Sequence, residues 1–364
     1  MVAEKTTLYN RHLENNGNMV SFAGYLLPTH YTGIKSEHFA VRNNAGLFDV
    51  SHMGEITISG KDSFDFLQYI TTNTLEGLSI GQAQYTILCN EKGGIIDDLI
   101  LYKKKNSFMI VVNAANRSRD LKWLKSQARG DVSINDISDQ LGLLALQGPK
   151  SRHVLKSLTN IGIDSLPFYH FIECEILGYN VLVSRTGYTG ELGYELFVDN
   201  KNIIDLWDNL LTNGADYGIR PAGLGCRDTL RMEMKYCLHG NDINIETNPI
   251  EAGLGWVTNL EKGPFVGRGV CLESKKGLEQ RLICFEMVDR AIPRNDCLII
   301  RNDSIIGNVT SGTMSPSLNK GIGIAYIQKK YAKIGSEIIV NIRGKKKKAI
   351  VVKPPFYKKG SLMT

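Results

Sequence analysis

Two adjacent carboxylates interrupt an apolar, strand-like run in Gly93-Gly94-Ile95-Ile96-Asp97-Asp98-Leu99-Ile100-Leu101-Tyr102. Aspartate is depleted from strand interiors. With a period of two, Asp97 falls on the face of Ile95, Leu99 and Leu101, and Asp98 on that of Ile96, Ile100 and Tyr102. Whichever face is buried therefore carries a carboxylate. With no cation beside it, desolvation raises the pKa of such a group and makes it a proton acceptor or a hydrogen-bonding anchor. The alternative is an Asp capping backbone N–H groups at a bulge after the glycine pair. Periodicity does not choose between the two residues.

Arg185-Thr186-Gly187-Tyr188-Thr189-Gly190-Glu191-Leu192-Gly193-Tyr194-Glu195 joins glycines to aromatics and carboxylates between apolar strands. No Lys follows as in a P-loop, and two acids would repel phosphate. A Tyr beside a fixed Glu suits a flat heterocycle with N–H donors, the ring stacking while the carboxylate accepts. An ordinary hairpin is the competing reading. In Arg220-Pro221-Ala222-Gly223-Leu224-Gly225-Cys226-Arg227-Asp228-Thr229-Leu230-Arg231, small residues open a helix with Arg227 and Arg231 on one face. That pair is suited to a carboxylate, or Arg227 pairs with Asp228 or Glu233 at a surface. Gly321-x-Gly323 is too short a fragment to indicate a dinucleotide site.

The elements that must position these residues are legible in outline. Ser36 and Gly46 bracket a helix containing Glu37–Val41, Glu55–Ser59 alternates as a strand, and Asp62 precedes Phe64, Leu67 and Ile70 at helical spacing. Strands follow at Tyr85–Cys89, Ile95–Tyr102 and Phe108–Asn113, then a helix near Arg117–Gln127. A second αβ stretch runs from Leu141 to about Gly255, with Pro149 opening a helix, strands near Cys174–Arg185 and Tyr194–Val198, and helices near Asn202–Thr212 and Gly223–Lys235. After about Leu278 short strands and turn residues imply an all-β barrel or sandwich.

The 364 residues suit two or three domains, and 43% hydrophobic with 22% charged residues is the composition of a globular protein. No apolar run reaches the length of a membrane span, and the N-terminus lacks a secretory or transit pattern. The expected location is the cytoplasm, or the mitochondrial matrix if a presequence has been removed. Seven cysteines without C-x-x-C spacing imply reduced thiols, and seven scattered histidines imply no metal site. Residues 343–364 hold eight bases and no acid, and setting these aside turns the net charge of +6 into −2. A chain so balanced does not track phosphates, so no nucleic-acid partner is expected. The lysines guard a sheet edge or attract an acidic partner.

In order along the chain, Phe22-Ala23-Gly24, Gly46 to Glu55, Cys89 to Asp98, Val112 to Asn116, Gln147-Gly148-Pro149, Ser184 to Glu191, Arg220 to Gly225 and Thr310-Ser311-Gly312 resemble the T-protein family of the glycine cleavage system. These are folate-dependent aminomethyltransferases, and the likeness runs from about Thr6 to Gly360. The resemblance implies an α+β, three-domain cloverleaf: a discontinuous first domain of residues 1–53 and 140–255, an inserted ferredoxin-like domain of 54–139, and a jelly-roll-like β-barrel of 278–364. It implies that Asp98, the second of the pair, is catalytic, and that Tyr85, Val111, Asn113, Tyr188, Glu195, Arg227 and Tyr236 line the folate site, with Glu195 reading the pterin edge.

The implied reaction moves a one-carbon unit from the aminomethyl-lipoyl arm of H-protein to tetrahydrofolate, releasing ammonia and forming 5,10-methylenetetrahydrofolate. A monomer is expected, with no metal. The rival within the superfamily is a tetrahydrofolate-dependent demethylase of a small methylated substrate. A non-catalytic folate-binding relative of the iron–sulfur assembly type would carry a K-G-C-[FY]-x-G-Q signature, which this sequence lacks.

Overall fold

The computed structural model describes residues 3–363. Its largest open sheet runs in the order Phe171–Ile176, Tyr179–Ser184, Gly193–Asp199, Leu141–Gln147, Ala45–Asp49, Ile219–Pro221. Every neighbouring pair is antiparallel except the last. The strand Leu141–Gln147 reads as nearly continuous apolar sequence because both its faces are covered. Leu144 and Leu146 pack under the helix Ile203–Asn213, whose Trp207 is fully buried. Truncating such a side chain to Ala typically costs about 3–5 kcal/mol. Leu143 and Ala145 face the other way, against Tyr102, Met109 and Val111 of the next sheet.

That second sheet has the order Ala83–Cys89, Ile95–Lys103, Phe108–Val112, Gly54–Ser59, Ser133–Asp136, all antiparallel. Without its first strand the order is that of a ferredoxin-like fold. The helices Ser63–Ile70 and Arg117–Gln127 cover one face through Phe66, Leu67, Ile70 and Leu124.

From Gln280 the chain forms a closed barrel in the order Gln280–Met287, Lys320–Gln328, Ser304–Ser315, Leu298–Arg301, Glu337–Ile342, Lys345–Val352. The first four strands in sequence make a Greek key. Closure runs through Ala349–Val352 against Cys284–Met287, so Lys345–Lys347 have a strand neighbour on one side only. The lysine-rich hairpin thus overhangs the closed barrel, and its lysines line the short free edge that the overhang leaves. Ile87 and Ile95 of the second sheet, Met232 and Ile243 of the connecting segments, and Leu282, Ile322 and Ile324 of the barrel share one apolar cluster. The three structural units meet there.

Three local expectations need correction. The helix bracketed by Ser36 and Gly46 spans Ile34–Asn43, with Ser36 inside it and Gly46 in a strand. The turn that leads into it is gathered by Glu37, whose carboxylate accepts the backbone N–H groups of Tyr31, Thr32 and Gly33 at 2.6, 2.8 and 3.1 Å. The helix Arg268–Lys276 left no periodic signal because only Val270, Cys271 and Leu272 are apolar in it. The register between Ala83–Cys89 and Ile95–Lys103 slips at Leu88/Cys89, where Ile96 is the extra residue. The predicted alternation therefore holds from Asp97 onward but is reversed before it: Ile96 joins Leu99 and Leu101, while Ile95 joins the junction cluster. Among the described residues, no helix is long and apolar enough to cross a membrane.

Candidate active site

The bulge after Gly93-Gly94 places the two aspartates in different environments. A Cβ on Gly94 would lie 1.8 Å from the Ile245 carbonyl oxygen, so only glycine lets the connecting segment cross the strand there. Asp97 is fully buried and accepts from the Asn113 backbone N–H at 2.9 Å, the Asn113 amide at 2.7 Å and the Asn116 amide at 2.6 Å. It anchors the two asparagines rather than capping the bulge, where Asn90 Oδ1 takes the N–H groups of Lys92 and Gly94 at 2.9 and 3.0 Å. Asp98 points to the other face and is only partly buried. Its Oδ2 accepts from the Tyr85 hydroxyl at 2.9 Å and its Oδ1 from the Asn113 amide at 3.0 Å. Burial, with the Asp97 charge beside it, pushes the Asp98 carboxyl up to about 7, against the opposing pull of those hydrogen bonds. A carboxyl poised there can take up or release a proton near neutrality.

Opposite stands the loop between Tyr179–Ser184 and Gly193–Asp199. It is a hairpin connection, and it also delivers an aromatic platform. Tyr188 stacks on Tyr236 with ring centroids 5.6 Å apart and planes at 24°, and its hydroxyl donates to the Cys237 carbonyl. The Arg227 guanidinium lies 4.7 Å from the Tyr188 ring centroid. Glu195 accepts from the Thr186 hydroxyl, and burial raises its carboxyl while Arg227 draws it down. The field of Asp98 reaches Tyr188, and Tyr169 feels Tyr236, Glu195 and Asp98 together, so these groups lie near one another. Val111 pairs with Ile100 and Glu55 on neighbouring strands and contributes apolar surface between the two sheets.

The two arginines on the helix Leu224–Met234 part company. Arg231 is committed to Asp228 at 2.9 Å, Asp242 at 2.7 Å and the Ser311 hydroxyl at 3.0 Å, a tie between helix, connecting segment and barrel. Arg227 pairs with neither Asp228 nor Glu233, and its buried Nη1 has no hydrogen-bond partner among the described residues. A buried guanidinium donor with no protein acceptor is ready for a ligand. The double-arginine reading is thereby reduced to one residue.

Two residues that the pattern alone did not reveal stand in this constellation. Trp256, 70% exposed, stacks on Tyr85 with centroids 5.8 Å apart and planes at 22°. Tyr169 adopts φ +60, a conformation costly for an aromatic residue and visible only in the fold. Among the described residues no group of three or more His, Cys, Asp or Glu side chains is arranged to hold a metal ion.

Comparison with known proteins decides the family. The family model described as the GCVT N-terminal domain matches residues 8–262, and that of the glycine cleavage T-protein C-terminal barrel domain matches 280–358. The chain belongs to the glycine cleavage T-protein family. It is 45% identical over 360 residues to an aminomethyltransferase of Thermoanaerobacter pseudethanolicus, covering 98% of each chain. To that of Bacillus subtilis it is 44% identical over 360 residues, covering 98% of this chain and 99% of the relative. The crystal structure of glycine cleavage system aminomethyltransferase T from Bartonella henselae superposes with a TM-score of 0.92 at 34% identity, covering 98% of this chain and 99% of that one. As a T-protein, the chain is an aminomethyltransferase of the glycine cleavage system, and its α+β fold with a C-terminal barrel is the family's.

Proposed function

We propose that Asp98 is the catalytic carboxylate of this T-protein, and that tetrahydrofolate occupies the space it shares with Tyr188, Tyr236, Glu195 and Arg227. The observation that carries this reading is the setting of Asp98: a carboxyl held near 7, clamped by Tyr85 and Asn113, and facing an aromatic platform. Glu195 has the chemistry to accept the N–H donors of a pterin edge. Arg227 offers a donor to an acceptor on the same ligand, and Val111 supplies an apolar wall. As the folate nitrogens bond to the methylene carbon, that carbon's bonds to the amine and to the lipoyl sulfur break, releasing ammonia and the thiol. Asp98 takes the proton shed by the attacking nitrogen and returns it to a leaving group, while Tyr85 and Asn113 fix the orientation of the carboxylate. Holding the donor arm and acceptor in attack geometry supplies much of the remaining rate.

The donor arm belongs to the lipoylated H-protein, and we place its entry on the side of Trp256, whose exposed indole backs Tyr85. In this reading the domains are residues 1–53 with 140–255, then 54–139, then 278–364. The test is ammonia release from aminomethyl-loaded H-protein with and without tetrahydrofolate. Asp98→Asn is expected to lose about 10²–10⁴-fold of the tetrahydrofolate-dependent rate while still binding the folate. Wild-type protein that shows no acceleration by tetrahydrofolate would shift the reading to a demethylase of a small methylated donor.

A further inference from the structure

Beneath Asp98 lies a third carboxyl group that the proposed chemistry does not use. Asp120, in the first turn of the helix Arg117–Gln127, is completely buried. Neither of its oxygens receives a hydrogen bond from a donor among the described residues. Arg119 Nε stands 3.6 Å from its Oδ1, too far for a hydrogen bond, and the Arg119 Nη2 is given to the Ile96 carbonyl. The carboxyl group whose charge and hydrogen-bonding reach bear most on it is that of Asp97.

The two members of this pair differ in their surroundings. Asp97 accepts three hydrogen bonds from Asn113 and Asn116, as an ionised carboxylate requires. Asp120 accepts none, and an unsolvated, unpartnered carboxylate in the interior is prohibitive. Other nearby groups do not relieve it. His239 receives the Asn116 amide at Nδ1, 3.0 Å, and faces the Ile95 carbonyl with Nε2, 3.2 Å. Those partners assign the neutral tautomer with its proton on Nε2, and burial lowers the imidazole pKa in the same direction. Arg119 is the cation that reaches the pair, from a half-exposed position at its edge. Asp98 lies next along the strand, itself raised by the charge on Asp97.

We propose that Asp120 is a positioning residue that stays protonated at neutral pH and donates its proton to Asp97. The pair then holds one negative charge, not two, and Asp97 is fixed where it grips Asn113, the residue whose amide also holds Asp98. Two facing carboxyl groups share a proton in this way because they cannot both ionise. Burial, reinforced by Asp97, pushes the Asp120 carboxyl up to about 10. A second full charge in the pair would drive Asp98 further up and out of its working range, so a neutral Asp120 leaves the pH at which Asp98 acts undisturbed. The catalytic part of this inference rests on the proposed role of Asp98; the shared proton does not.

The proton is read directly by infrared difference spectroscopy at about pH 8.5, where Asp98 is ionised and Asp120 is not. A protonated-carboxyl band present in the wild type and missing in Asp120→Asn is expected. Kinetically, Asp120→Leu, which removes the donor, should lower kcat at least about tenfold with little change in tetrahydrofolate affinity. Asp120→Asn, whose amide donates at the same reach, should recover most of that loss and keep the acid limb of the pH–rate profile in place. No band difference, or an acid limb in Asp120→Asn displaced downward by about one unit, means that a charge has been removed and overturns the proposal. A band lost in Asp120→Asn while wild-type turnover ignores tetrahydrofolate would sink the catalytic reading and leave the shared proton intact.

Discussion

A carboxyl group held near pH 7 for proton transfer weakens the fold that holds it. The unfolded chain releases the Asp98 proton near 3.9, whereas the folded chain keeps it to about 7. Between those values the native state binds more protons, so this group's contribution to stability declines as pH rises from about 4 through 7. Asp98→Asn removes the buried charge, and at about pH 8 it should stabilise the protein by about 1–3 kcal/mol, with no gain at about pH 4. Denaturant unfolding at both pH values checks this; an equal effect at both would refute the burial argument. Sequence pattern took the site only part of this distance. It found the carboxylate pair and, from the glycine pair, offered a bulge before it, but which residue is the extra one depends on the pairing with Ala83–Cys89, and the choice of Asp98 came from family resemblance. The fate of Arg231 depended on Asp242 and Ser311, which lie 11 and 80 positions away.

At the scale of elements, local signals succeeded where a segment buries a periodic face. They failed where tertiary partners set the boundary. The helix Arg117–Gln127 matches its expected span, whereas the helix Ile34–Asn43 starts where Glu37 gathers the backbone donors of the preceding turn, and the same carboxylate takes the Gly223 N–H at 2.9 Å. This helix and Leu224–Met234 are joined to the barrel by Glu233. Its carboxylate meets Arg42 Nη2 at 2.8 Å, the Ser315 hydroxyl at 2.6 Å, the Ser317 hydroxyl at 2.8 Å and His38 at 3.4 Å. Despite burial, these partners hold the Glu233 carboxyl down at about 2. A depressed carboxyl stabilises the fold above its unfolded value, about 4.3, and that contribution is lost as pH falls toward 2. Glu233→Gln leaves Arg42 with less than its full counter-charge and should cost about 3–5 kcal/mol at pH 7, the usual cost of breaking a buried ion pair. The deficit should shrink as the pH of the unfolding experiment is lowered toward about 2; a deficit independent of pH would assign Glu233 a packing role instead.

Across the whole molecule, the barrel is far from the aspartates in sequence, yet its outgoing chain returns to the aromatic side of the site. After Val352 the chain leaves the last strand, Tyr357 packs under the Arg42 guanidinium at 4.1 Å, and the Tyr357 N–H donates to the Glu233 carbonyl at 3.0 Å. Ser361 then closes on the loop that carries Tyr188. Its N–H and hydroxyl donate to Glu191 Oε2 at 2.7 and 2.6 Å, and its hydroxyl oxygen accepts the Leu192 N–H at 3.0 Å. A Cβ on Gly360 would come within 2.1 Å of the Gly190 carbonyl oxygen, so the two backbones are in direct contact. This strap ties the barrel to the tyrosine platform without touching Asp98. Ending the chain after Lys359 removes Ser361 and should leave the barrel and the sheets folded, since all their strands end by Val352. The Tyr188 loop would lose its outer support, and the KM for tetrahydrofolate should rise about three- to thirtyfold with a smaller change in kcat, the sign of weakened binding rather than lost chemistry. Gly360→Ala should move KM in the same direction through the clash alone. If both variants keep the wild-type KM, the platform is rigid without its strap, and the tyrosine stack with Arg227 must supply the ordering by itself.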